Sequence, residues 1–256
     1  MHRSRFPHFV TMAVLVFFYL PILMLVAQSF NASRFGGEWK GFTFAWYGRL
    51  FDHSQIGMAT SNTLIIAIAS TVCSLVLGTL AAWVLHRYKT RLQKVNYTLI
   101  YAPLIMPEVL MGISLLLLFV NLSVPSGLLT VIIAHITFSI SYVTFVILGR
   151  LQDFDYSMIE AAQDLGANWW TILWRVLLPL LGPGLAAGGL LAFTLSIDDF
   201  VITYFVAGPG SSTLPVHVYS MMKHGSPTLI NALCVLFMAV TFAIVLLSQR
   251  LIKDKI

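Results

Sequence analysis

Charge is scarce in this sequence. Only 10% of its 256 residues are Asp, Glu, Lys or Arg, against about 25% in an ordinary soluble domain. That argues against a soluble domain built around one large core. Cysteine is nearly absent as well. Cys73 and Cys234 both fall inside apolar runs, where they read as small packed hydrophobes rather than a disulfide or a metal centre. The dipeptide Gly-Lys does not occur, so no G-x-x-x-x-G-K-[ST] loop is present and ATP is not held by that route. The formal net charge is +5. Its basic residues flank apolar runs instead of forming one stripe, which excludes nucleic acid as a partner.

What is present is hydrocarbon: 58% of residues are hydrophobic and the mean hydropathy is +0.86. A membrane helix needs about 20 apolar residues. Six runs qualify, at 9–30, 64–85, 99–120, 128–148, 180–197 and 232–247. The expected fold class is therefore all-α, a polytopic membrane protein with six transmembrane helices. The fifth run is interrupted at its start by "LGPGLAAGG", whose Gly182, Gly184, Gly188 and Gly189 let a neighbouring helix approach closely. The first run follows "HRSR", as a cleaved leader would. At about 20 residues and with Pro21 inside, it exceeds the usual leader length and reads as a retained span.

Orientation follows from the basic residues. With the N-terminus inside, the cytoplasmic set is Arg3, Arg5, Arg87, Lys89, Arg91, Lys94, Arg150, Arg175, Arg250, Lys253 and Lys255. The outer set is Arg34, Lys40, Arg49 and Lys223. Eleven against four is a positive-inside bias that predicts both termini in the cytoplasm. The segment 149–178 then lies inside. It carries Asp153, Asp155, Glu160 and Asp164 against Arg150 and Arg175, a formal charge of −2. An acidic cytoplasmic loop suits a protein partner better than the anionic membrane surface.

Within this loop the pattern predicts a short helix from about Tyr156 to Leu165, capped by Asp155 or Ser157. Glu160 lies in its early turns, where the helix dipole favours a carboxylate. Ala161, Ala162 and Leu165 give it a narrow, low-profile face. Gly166 ends it by taking a positive φ, Asn168 caps a second helix, and Pro179 starts the next span. The result is a helix–turn–helix elbow on the membrane face.

Glu160-Ala161-Ala162, three residues, Gly166, nine residues, Val176, one residue, Leu178-Pro179 resembles the cytoplasmic signature of ABC importer permeases. Val176 stands where isoleucine is commonest. The blocks 29–47, 134–143, 193–225 and 230–233 are similar to the C-type permease of spermidine/putrescine importers, and they span nearly the whole chain. The resemblance implies a single transmembrane permease domain over 1–256 in a bacterial cytoplasmic (inner) membrane. The elbow at 149–178 would dock on an ATPase through Glu160, Ala161, Ala162, Asp164, Leu165 and Gly166, with Pro179 ending the motif. It also implies a second, homologous permease, two ATPase subunits, an extracytoplasmic solute-binding protein and a polyamine cargo. The segment 208–225 is expected to help seat the binding protein. No cofactor is expected on this chain and no covalent chemistry; ATP and Mg belong to the partner ATPase.

A polycation needs acids on its path. Glu108 is the tenth residue of the run 99–120, near mid-membrane, where an ionised carboxylate costs at least about 2.5 kcal/mol unless it faces protein, water or a cation. Pro103 and Pro107 precede it and kink the helix, freeing carbonyls. Asp198 and Asp199 end the fifth run, where the helix dipole disfavours acids. Tyr204 adds a cation–π surface. Other roles stay open: Glu108 paired with a group such as His135, and the aspartates simply starting a solvated loop. Trp39, Phe42, Phe44, Trp46 and Tyr47 read as an interface belt. An importer of ferric ion or a small anion, and an ion-driven carrier, are the alternative functions.

Overall fold

The computed structural model describes residues 6–88, 91–152, 154–224 and 227–253. Arg3, Arg5, Lys89, Asp153, Gly225 and Lys255, invoked above, lie outside the described residues. Every named element among those described is a helix, with one isolated bridge between Asn31 and Phe42.

Residues up to 57 and from 217 to 251 form one compact unit. Its first helix, α1 (Phe6–Ser29), is apolar around its circumference and, up to its last turns, exposed among the described residues. A helix with no polar face needs a hydrocarbon or protein surround. After α1 the chain winds around Asn31. The Asn31 amide donates to Gln28 Oε1 and the Glu38 carbonyl, both at 2.9 Å, and accepts from the Ser33 and Lys40 amides. Trp46, at the start of α2 (Ala45–Asp52), is buried and donates its indole N–H to the Asn31 carbonyl at 2.8 Å. Trp46 is thus a structural anchor. Trp39, Phe42 and Phe44 remain exposed, as the belt reading requires.

Residues 58–216 form the second unit. Its elements are the greater part of α3 (Ser54–Arg87), α4 (Gln93–Ile105), α5 (Glu108–Asn121), α6 (Leu128–Leu151), α7 (Ser157–Asp164), α8 (Trp169–Ile172), α9 (Leu178–Asp198) and α10 (Val201–Val206). Two further helices, α11 (Leu214–His224) and α12 (Pro227–Lys253), complete the chain.

The second unit is built around α6. One apolar cluster joins Ile66, Met111, Leu115, Val131, Phe138 and Ile202; another joins Ala82, Leu85, Val143, Ile147, Leu151 and Leu181. Small residues set the spacing. A Cβ on Gly184 would meet the Arg150 side chain at 3.3 Å, and one on Gly188 would meet Val143 at 3.7 Å. Gly182 faces open space, so the close approach belongs to the other glycines of that run.

Among the described residues, four helices are long and apolar enough to cross a bilayer: His8–Ser29, Ser54–Arg87, Leu128–Leu151 and Trp169–Asp198. Two expected spans differ from the reading of the sequence. The run 99–120 is broken: α4 and α5 meet at 113°. Pro107 has no N–H and its ring pushes Met106 out of the helical region, to φ −69° and ψ 136°. The fifth span is longer than expected. Neither Pro179 nor Pro183 stops it, and the helix runs without a break from Trp169 to Asp198. A π turn over Leu173–Leu177 absorbs the lost α-helical bond ahead of Pro179. The sixth expected span falls in α12, whose apolar part is Pro227–Ala243.

Gly78 tests this packing. A Cβ there would lie 2.8 Å from Val143 Cγ1 and 3.2 Å from the Ile140 carbonyl. Gly78→Leu is expected to destabilise the detergent-solubilised protein by about 1–3 kcal/mol, the usual range for overpacking. Thermal unfolding should show it, with Gly48→Ala, which meets nothing within 4 Å, as the unchanged control.

Candidate functional site

The break between α4 and α5 opens a cavity of about 480 Å³, walled by both helices, by Phe138 and Tyr142 of α6, and by the α9–α10 junction. Glu108, Asp198 and Asp199 all line it. Three acids separated by 90 positions in sequence thus share one chamber.

Their circumstances differ. Glu108 does not sit mid-helix. It opens α5, where the amides of the first turn and the helix dipole favour a carboxylate. Asp198 is the last residue of α9, where the dipole opposes it. Both are exposed, and among the described residues neither carboxylate has a hydrogen-bond or ion-pair partner.

Asp199 is held. Its Oδ2 accepts from the Thr203 amide at 2.8 Å and the Thr203 hydroxyl at 2.7 Å, and its Oδ1 from the Ile202 amide at 3.3 Å. It therefore caps α10, which offsets the unfavourable end of α9. His135 Nε2 lies 3.2 Å from Asp199 Oδ2, with the imidazole wholly buried and the carboxylate 6% exposed. The other ring nitrogen meets Ser196 Oγ at 2.7 Å, and Ser70 donates to the same oxygen at 3.1 Å. His135 thus pairs with Asp199 and not with Glu108, and one chain of bonds ties α3, α6, α9 and α10. Tyr204 is half-exposed and packs against Phe200 and Phe205 instead of lining the chamber.

The cavity also uses residues that the sequence reading passed over. Phe138 and Tyr142 share with His135 one face of α6, and Phe200 lies beside the aspartates. The spacing 135, 138, 142 on a span was the available signal.

At the other end of the unit stands the elbow. Asp155 accepts from the Ser157 amide at 2.9 Å and so caps α7. That bond and one from the Ser157 hydroxyl hold the Asp155 carboxyl below its ordinary pKa. The cap is therefore in place at neutral pH and is lost as pH falls through the acid range. Gly166 has φ +80°, and the Gly166 and Ala167 amides close the helix on Gln163 and Ala162. Asn168 caps the next helix by accepting from the Thr171 amide at 2.8 Å. Ile159 anchors the elbow beside Ile172 and Leu177.

Glu160, Ala161, Asp164, Leu165 and Gly166 face outward, and Ala162 is partly covered. Leu165 is 89% exposed. Pro179 is remote from this face in sequence and lies on α9. On the segment 208–224, Thr213 is 2% exposed.

A contact unforeseen in the sequence fastens the elbow to α3. Tyr156 Oη lies 2.7 Å from His86 Nδ1 with the two rings stacked, and the Arg87 guanidinium lies 5.1 Å from the phenol ring centroid. Phe154 packs edge-on against both Tyr156 and Trp83, and Trp83 lies tilted beside Tyr156. Burial pushes the Tyr156 phenol above its ordinary pKa against the opposing Arg87 charge.

Residues 74–256 match the family described as "Binding-protein-dependent transport system inner membrane component". The chain is 39% identical to the spermidine/putrescine transport system permease protein PotC of Escherichia coli (strain K12), covering 95% of this chain and 92% of that protein. It is 43% identical to the putrescine transport system permease protein PotI of the same strain, over 87% and 82%. Among solved structures, a chain of a bacterial ABC transporter that imports the acidic polysaccharide alginate superposes with a TM-score of 0.75 at 15% identity, covering 98% and 96%. A chain of the MetNI methionine ABC transporter in inward-facing form gives 0.64 at 18%, over 77% and 94%. At such identities the structures speak for the fold alone.

The two aspartates should separate cleanly in a stability assay. Asp199→Ala removes a cap and strands a buried imidazole, a loss of about 1–3 kcal/mol. Asp198→Ala is expected to leave the unfolding temperature of the solubilised protein unchanged.

Proposed function

The chain belongs to the family of binding-protein-dependent transport system inner membrane components, and on that premise we propose that it is the permease half of an ATP-driven polyamine importer. It is a transport component of the inner membrane. The observation that carries the polyamine reading is the identity of 39% and 43%, over nearly the whole chain, to permeases named for spermidine and putrescine. The cavity is consistent with it. Glu108 and Asp198 present two unpaired carboxylates, with Phe138, Tyr142 and Phe200 beside them. Ammonium groups bind carboxylates by charge-assisted hydrogen bonds and aromatic faces by cation–π attraction. An anion would meet only repulsion there.

In this reading the chain pairs with a second, homologous permease and draws on two ATPase subunits, which hold ATP and Mg. An extracytoplasmic binding protein delivers the solute. Glu160, Ala161, Ala162, Asp164, Leu165 and Gly166 meet the ATPase. Closure of the ATPases displaces the elbow, the permeases exchange inward-open for outward-open form, and hydrolysis resets them. Glu108 and Asp198 offer the passing cation successive partners, and Asp199 acts through the shape of the α9–α10 turn. The chain makes and breaks no covalent bond.

Uptake into vesicles holding the assembled transporter tests the cargo. Unlabelled spermidine and putrescine should compete with labelled polyamine, whereas ferric ion and small anions should not; competition by the latter alone would overturn the reading. Loss of one charged hydrogen bond, about 1.5–3 kcal/mol, corresponds to roughly 10- to 100-fold weaker transport for Glu108→Gln or Asp198→Asn. Assembly of the complex should be unaffected. At the elbow, Gly166→Val places a β-branched residue at φ +80°. That strain of about 1–2 kcal/mol should leave the protein in the membrane while polyamine uptake falls.

A further inference from the structure

The elbow is joined through the chain to α6, by residues 152–156, and to α9, by way of α8. It has no covalent connection to the end of α3. Yet the tightest polar contact of the elbow region is with α3: Tyr156 Oη to His86 Nδ1 at 2.7 Å. The ring is fixed in three directions. His86 stacks on it at a centroid distance of 5.7 Å, Arg87 covers it at 5.1 Å, and Trp83 lies at 6.0 Å. The same residue begins α7, since its carbonyl accepts from the Ile159 amide at 3.0 Å and the Glu160 amide at 3.3 Å. One turn therefore separates the clasp from Glu160.

The far part of α3 packs behind the cavity wall. Ile66 packs in the cluster with Met111 and Ile202, both of which line the cavity, and Ser70 donates to Ser196, the partner of His135. In between, Gly78 leaves α3 no slack against Val143. A well-packed helix moves as a body and does not compress along its length. Displacement of its His86 end is therefore carried to Ile66 and Ser70.

We propose that Tyr156 and His86 are positioning residues for energy coupling: they bolt α3 to the elbow, so that motion taken up at α7 reaches the cavity through a helix to which the elbow is not covalently joined. This rests on the reading of 149–178 as the ATPase-facing elbow. It adds a second route, beside the direct chain connections to α6 and α9, and assigns it to named side chains.

The test uses the complete transporter, with its second permease, ATPase and binding protein, reconstituted in vesicles. Polyamine uptake and ATP hydrolysis are measured on the same sample. Tyr156→Ala is expected to retain hydrolysis within about 2-fold while uptake per ATP falls about 10-fold, within the usual range of coupling between sites. Tyr156→Phe, which keeps the ring and loses the hydrogen bond, should fall between this variant and the wild type. Should Tyr156→Ala fail to assemble, His86→Leu is read on the same ratio. A merely structural role would lower uptake and hydrolysis together and leave the ratio unchanged, and that result overturns the proposal, as does full coupling in all three variants. Gly166→Val is the control. If it too leaves uptake intact, the elbow reading itself has failed; if it alone uncouples, the elbow stands and the α3 route falls.

Discussion

A polar group carried into hydrocarbon must find its partner within the protein, and the bonds of His135 are where this chain meets that demand. Each nitrogen of the buried imidazole is matched, one to Ser196 and the other to Thr203 and Asp199. Four helices are joined at this point, and the geometry of the α9–α10 turn follows from it. With Asp199 turned inward as a cap, Asp198 is left at the end of α9 facing the cavity. The free acid and the bound acid are consequences of the same network. The break at Pro107 completes the arrangement by placing Glu108 at a helix start instead of a helix middle.

Much of this was legible beforehand. Long apolar runs reveal spans because a bilayer forces backbone groups to pair within a helix. The elbow was legible because caps and a positive-φ glycine are local chemistry, and Asp155, Gly166 and Asn168 do what their types suggest. The acids stood out because carboxylates are rare in such runs. Other features depended on distant partners. Which aspartate would be free could not be read from adjacent identical residues, since the choice lies with His135, 64 positions earlier in the chain. The clasp on Tyr156 was hidden for the same reason. Proline was legible only in part: the bend expected ahead of Glu108 falls at Pro107 and breaks the helix, whereas Pro179 is accommodated by a π turn.

Cavity and elbow lie at opposite ends of a shared set of helices, α3, α6 and α9, which narrows the ways in which one end informs the other. Gly184, Gly188 and Gly189 of α9 and Gly78 of α3 bring these helices into close contact. Side chains so placed pass on displacement and do not absorb it. The exposed residues of the elbow combine small Ala161 and Gly166, acidic Glu160 and Asp164, and bulky Met158, Leu165, Trp169 and Trp170.

The corner at Met106–Pro107 has a mechanical consequence. In an intact helix, widening an angle means rupturing backbone bonds at a depth where no water replaces them. Here proline has already deleted the bond that would resist, and both residues rest in the extended geometry to which the proline ring restricts them. The corner therefore leaves no further bond unmade on either side of it: the Met106 amide is met by the Ala102 carbonyl and the Pro107 carbonyl by the Met111 amide.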